Sequence, residues 1–97
     1  MKKQYLIVTE PERLKEFGFV GFEFESGRYD DEIPDSEYFY YYFELSKGNN
    51  LFIDYYINKK EWIINLDDVT FLSDTKAVIL ILYDLITAGI VKKVEEE

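Results

Sequence analysis

The densest chemistry-bearing stretch of this 97-residue chain is a set of five carboxylates within eight positions, Asp30, Asp31, Glu32, Asp35 and Glu37. Clustered hard oxygen ligands of this kind can hold Ca²⁺ or Mg²⁺. The spacing is not that of a calcium loop, because no glycine stands at the turn position and Ile33 and Pro34 interrupt the ligands. A solvated acidic loop with no bound metal is the expectation. The chain has no histidine and no cysteine, which removes Ser-His triads, the most versatile general base near neutral pH, thiolate nucleophiles and thiolate metal sites. Paired-carboxylate hydrolysis would need two acids facing each other across a cleft with separated pKa values. Here the acids fall in loops, on wet strand faces and at the C-terminus. Gly18 and Gly21 lack both the spacing and the following helix of a phosphate-binding loop. The residues imply a chain that is not an enzyme and takes no cofactor.

What remains is aromatic. Nine Tyr, eight Phe and one Trp make 19% of the chain, too many tyrosines for every hydroxyl to lie inside. From Tyr38 to Leu45, Phe39, Tyr41, Phe43 and Leu45 alternate with Tyr38, Tyr40, Tyr42 and Glu44, the period of a strand. Leu51, Ile53, Tyr55 and Ile57 then oppose Phe52, Asp54 and Tyr56, and Trp62, Ile64 and Leu66 oppose Glu61, Ile63 and Asn65. If the first set of each strand faces a covering helix, Tyr38, Tyr40, Tyr42, Phe52, Tyr56 and Ile63 point away together, fringed by Glu44, Asp54, Glu61 and Asn65. An apolar centre with an acidic rim is the anatomy of a protein interface, with a foreign protein or in a homodimer. Two other fates compete: burial within the monomer under the N-terminal helix or the acidic loop, and stacking on bases or sugars. With 20 acidic against 11 basic residues the net charge is −9, which disfavours direct binding to nucleic acid or to anionic membranes. The same charge permits an imitation of DNA that occupies the groove of a nucleic-acid-binding host protein.

These faces need elements to position them. Gln4 to Val8 reads as a short edge strand, and Thr9, Glu10, Pro11 and Glu12 as a capping box opening a short helix over about 10–17 that ends at Gly18. Phe19 to Glu25 alternates as a strand with Val20, Phe22 and Phe24 on its apolar side, and the acidic loop spans Ser26 to Glu37. The three-stranded meander turns at Ser46 to Asn50 and at Asn58 to Lys60, where Gly48, Asn49 and Asn50 accept positive φ. A second helix runs from about Asp74 to Ala88 and stops at Gly89. On a wheel of about 100° per residue, Val78, Ile81, Leu82 and Leu85 centre its apolar arc, with Ala77, Ile79, Ile86 and Ala88 on the flanks. Lys76, Tyr83, Asp84 and Thr87 surround a single exposed Leu80. Ile90 to Val94 adds a last strand before a frayed Glu95 to Glu97, the terminal strands pairing with the sheet edge or with each other. The fold class is α+β: one domain over 1–97, an antiparallel meander with a C-terminal helix packed on one face and a short N-terminal helix.

Leu14-Lys15-Glu16-Phe17-Gly18-Phe19, the tyrosine-rich meander and Leu85-Ile86-Thr87-Ala88-Gly89-Ile90-Val91 resemble segments of small proteins from bacterial phages and prophages. The resemblance implies a small accessory or host-interacting protein and assigns no residue a role. The apolar runs Tyr5 to Val8 and Ala77 to Tyr83 are too short for a secretory signal or a bilayer span, so a cytoplasmic location is expected.

Overall fold

The computed structural model describes residues 3–23, 38–67 and 69–96. In chain order these form β1 (Lys3–Val8), a 3-10 helix (Pro11–Phe17), β2 (Val20–Glu23), β3 (Tyr38–Ser46), β4 (Asn49–Tyr56), β5 (Glu61–Asn65), α1 (Leu72–Thr87) and β6 (Val91–Glu96). The strands make one six-stranded antiparallel sheet in the order β2-β3-β4-β5-β1-β6. The architecture is α+β, as the alternation and the helical signals imply.

The meander forms where its turn residues allow it. Gly48 takes φ +79° between β3 and β4, and Lys60 takes φ +55° before β5. β1 is not an edge strand: it lies between β5 and β6, and β6 is the edge. β1 pairs with β6 over six residues, Lys3 opposite Glu96 through Val8 opposite Val91, but with β5 at only Ile7 and Val8. Glu95 and Glu96 are therefore strand residues, not a frayed tail. Thr9 does not cap the short helix, whose N-cap residue is Glu10 with no side-chain bond. The Thr9 amide and hydroxyl both donate to the Ile90 carbonyl, at 2.8 and 3.3 Å, tying the end of β1 to the start of β6. Gly18 ends the 3-10 helix at φ +90°, with its amide donating back to Lys15.

One face of the sheet carries the core. Tyr41, Leu51, Ile53, Trp62, Ile64 and Val8 pack there with Leu14, Phe19, Val78, Leu85 and Ile90, all buried. Four rings interlock in it: Tyr41 has its ring centroid 5.4 Å from both Trp62 and Tyr38, and Tyr55 lies 5.3 Å from Trp62. α1 covers this face, packing against β3, β6 and the 3-10 helix. Asp74, in the first turn of α1, is buried and accepts a bond of 3.2 Å from the Ser46 hydroxyl at the end of β3. The positive helix N-terminus favours a carboxylate at that place.

Candidate protein-binding surfaces

Rows across the sheet follow from its register. Tyr42 lies opposite Phe52, which lies opposite Asn65; Tyr40 lies opposite Asp54, which lies opposite Ile63, which lies opposite Ile7. Paired residues share a face, so these rows occupy the side of the sheet away from α1. Tyr40, Tyr42 and Phe52 form a cluster of rings there, with centroids 5.9 to 6.4 Å apart. Among the described residues no helix covers it.

The six predicted contact residues do not all meet. Tyr40, Tyr42 and Phe52 do. Tyr38 lies on the other face: it packs against the core, its ring 5.4 Å from Tyr41, and receives both a hydrogen bond from the Lys15 ammonium and that ammonium over its ring at 4.0 Å. The physical cause is an irregularity in the ladder, where Phe22 pairs with Tyr40 but the next residue, Glu23, pairs with Tyr38. One extra residue on β3 breaks the period of two, so Tyr38, not Phe39, joins the core. Gly21 makes room for it, since a Cβ at Gly21 would stand 2.5 Å from the Tyr38 ring. Ile63 lies on the predicted face but is only 8% exposed, because β4 and β1 flank it on both sides. It contributes a floor, not a protruding contact.

β2 is turned opposite to the reading from alternation. Gly21 pairs with the buried Tyr41 and shares the core face, while Val20 and Phe22 are exposed on the reverse face. The run Val20, Phe22, Phe24 signalled an apolar side, and the side it marks is the uncovered one. Phe22 stacks on Tyr40 with centroids 4.8 Å apart and planes 4° from parallel, so the ring cluster has four members where the sequence offered three. Phe24 and the acidic positions Asp30, Asp31, Glu32, Asp35 and Glu37 lie outside the described residues.

Tyr56 is exposed and lies beyond the cluster, at a cleft of about 420 Å³ that opens where β1 diverges from β5. Tyr5, Leu6, Lys59, Ile63 and Asn65 also line it. The cleft is strapped by polar contacts. Tyr5 donates to Glu61 at 3.1 Å, and the Lys59 ammonium lies 4.5 Å above the Tyr5 ring and donates to Glu96. That bond from Lys59 holds the Glu96 carboxyl below its usual range, and the same bond raises Lys59. Partial burial, followed by the bond to Glu61, raises the Tyr5 phenol. Elsewhere, Arg13 pairs with both Glu10 and Glu16, and Lys93 pairs with Glu95. Among the described residues no three carboxylates converge as a metal site would require.

A second surface lies on α1. Val78 and Leu85 are buried and Ile81 and Leu82 pack against the core, as the wheel predicts. Ile79 and Ile86, placed by the wheel at the covered flanks, are exposed instead. With Leu72, Leu80 and Tyr83 they make an outward stripe of five apolar side chains, each between 55% and 74% exposed. A helix apolar on both faces belongs to an interior; here one of those faces is exposed. Among the described residues no helix is long and apolar enough to cross a membrane. The chain matches no protein family, no curated protein and no solved structure.

Proposed function

We propose that the chain is a non-enzymatic protein-binding module, a small accessory protein whose contact surface is the uncovered sheet face centred on Tyr40, Tyr42, Phe52 and Phe22. The observation that carries this reading is the four-ring cluster on a face that no described element covers. Rings held by their neighbours on paired strands lose little freedom on binding, and tyrosine combines apolar area with a hydroxyl for hydrogen bonding. Glu44 and Asp54 border the cluster, so the fitting partner is a protein with an apolar centre and a basic rim. Imitation of DNA has less support, because Glu10, Glu16, Glu95 and Glu96 are each engaged by a cation of the chain itself.

Tyr42→Glu places a charge inside the cluster without touching the core. A partner isolated with the wild-type chain and purified is expected to bind Tyr42→Glu at least about tenfold more weakly by calorimetry, a loss of roughly 1.4 kcal/mol. Its binding to the wild type should weaken as salt is raised. Equal affinity for the two chains would reject this surface.

A further inference from the structure

β6 is the edge of the sheet, and among the described residues no strand lies on its outer side. Its sequence, Val91-Lys92-Lys93-Val94-Glu95-Glu96, sets two cations and two anions symmetrically about Val94. The ladder to β1 decides which backbone groups of β6 point outward. The Thr9 amide donates to the Ile90 carbonyl, a bond that flanks the opposed pair Val8 and Val91. The Ile90 carbonyl therefore faces β1, and with it the amides and carbonyls of Lys92, Val94 and Glu96. Those of Val91, Lys93 and Glu95 face away from the sheet. An antiparallel copy of β6 can then pair only in registers that set outward residues against outward residues. Among these, a two-fold axis at Lys93 opposes Lys93 to itself, one at Lys92 opposes Lys92 to itself, and one at Glu95 opposes Glu95 to itself. An axis at Val94 opposes Lys92 to Glu96 and Lys93 to Glu95, each twice by symmetry.

We infer that β6 pairs with β6 of a second copy about Val94, joining two sheets into one. Opposed residues share a face, so the register places every charge beside its complement. On the α1 face, Lys93 already lies 3.4 Å from Glu95 of its own strand, and the second copy closes a ring of four charges of alternating sign. On the other face Glu96 accepts from Lys59, and a carboxylate has capacity for the Lys92 ammonium of the second copy as well. Lysines and other charges on an edge strand ordinarily block pairing. Here they block every strand except one carrying the complementary charges in order, and the antiparallel copy of β6 is such a strand. The axis stands perpendicular to the sheet, so the ring clusters of both copies face the same side. Two six-residue strands joined edge to edge bury less than a standard interface of about 1,600 Å², and two chains of net charge −9 repel at long range. A weak dimer follows, with a dissociation constant on the order of 100 µM.

The test uses the full chain at about 0.15 M salt, where long-range repulsion is screened. Sedimentation of the wild type at concentrations reaching on the order of 500 µM should show a monomer–dimer equilibrium. Lys93→Glu and Glu95→Lys each set like charges opposite one another, so either variant alone should dimerise at least about fivefold more weakly, with unchanged circular dichroism. An equal mixture of the two should recover the dimer, because each then meets its complement in the other. The lack of cysteine allows the register to be read directly. Under oxidation Val94→Cys should cross-link to itself, its Cα atoms standing about 4.5 Å apart in a pair without ladder bonds. Lys92→Cys should not, its two copies being offset by four residues, about 13 Å along the strands. A wild type that stays monomeric, charge variants that dimerise like the wild type, a mixture no more associated than its components, or self-linking of Lys92→Cys equal to that of Val94→Cys would each overturn the proposal. Tyr42→Glu should leave this dimer intact, and a dimer lost with Tyr42→Glu but kept by Lys93→Glu and Glu95→Lys would place self-association on the ring cluster instead.

Discussion

Gly21 and Tyr38 show how one residue decides which face its neighbour joins. The aromatic alternation from Tyr38 onward was legible, and Tyr41, Phe43 and Leu45 face the core as the period requires. The exception at Tyr38 was not legible, because nothing in the run of rings marks the place where β3 gains a residue on β2. Gly21 was the available signal: a side-chain-free position inside a strand marks a close approach. Gly21→Ala puts a methyl 2.5 Å from the Tyr38 ring, so the ring has to leave its seat on Tyr41 and its contact with Lys15. The expected cost is about 1–3 kcal/mol in urea unfolding. Combined with Tyr38→Ala the two losses should add to less than their sum, since the second change removes the ring that the first displaces.

At the scale of elements, the helix boundaries, both glycine stops and the centre of the covered arc of α1 were readable, whereas the edges of that arc were not. The apolar arc of this helix is wider than the covered one, so a wheel cannot tell which of its flanks stays outside. The choice falls to the buried Asp74 and the hydroxyl of Ser46 that donates to it. The carboxylate has a partner only when that side of the first turn faces β3, and that rotation turns Ile79 and Ile86 outward. A polar residue of the helix thus determines which apolar residues are covered. Ser46→Ala leaves the carboxylate buried without this donor and should lower stability by about 1.5–3 kcal/mol in thermal or urea unfolding. Asp74→Asn, which keeps an acceptor oxygen and gives up the charge at the helix N-terminus, should cost less.

Across the whole molecule, the terminal strands are joined to the meander by few residue pairs and by the straps at the cleft. The signs of the pKa shifts define when those straps act. The Glu96 carboxyl is depressed, so its contribution to stability is complete above the ordinary carboxylate range and is lost as pH falls through the depressed value. Lys59 and Tyr5 are raised, so theirs is complete below their ordinary values and is lost as pH rises through the raised ones. The closure of β1 and β6 on the meander is therefore firmest between the acid and alkaline limits. By carboxyl NMR, Glu96 should titrate at lower pH in the wild type than in Lys59→Met, and by ultraviolet absorbance Tyr5→Phe should remove a late-ionising phenol. An unchanged Glu96 titration in Lys59→Met would show that the strap does not form in solution. None of this was legible in the sequence, because Tyr5, Lys59 and Glu96 are brought together only by the order of strands in the sheet.

That order has a consequence for how the chain is made. β1 precedes the other described strands in the chain, yet β5 begins at Glu61 and β6 at Val91, so both of its neighbours are still unmade when it emerges. Until β5 appears, Leu6 and Val8 have none of their sheet partners. Even then only Ile7 and Val8 find a register. The six-residue pairing that fixes β1 depends on the closing segment of the fold. A nascent chain halted before Val91 thus carries a finished meander beside a β1 held at only two positions, and the apolar surface and strand edge left open there are of the kind that favours aggregation.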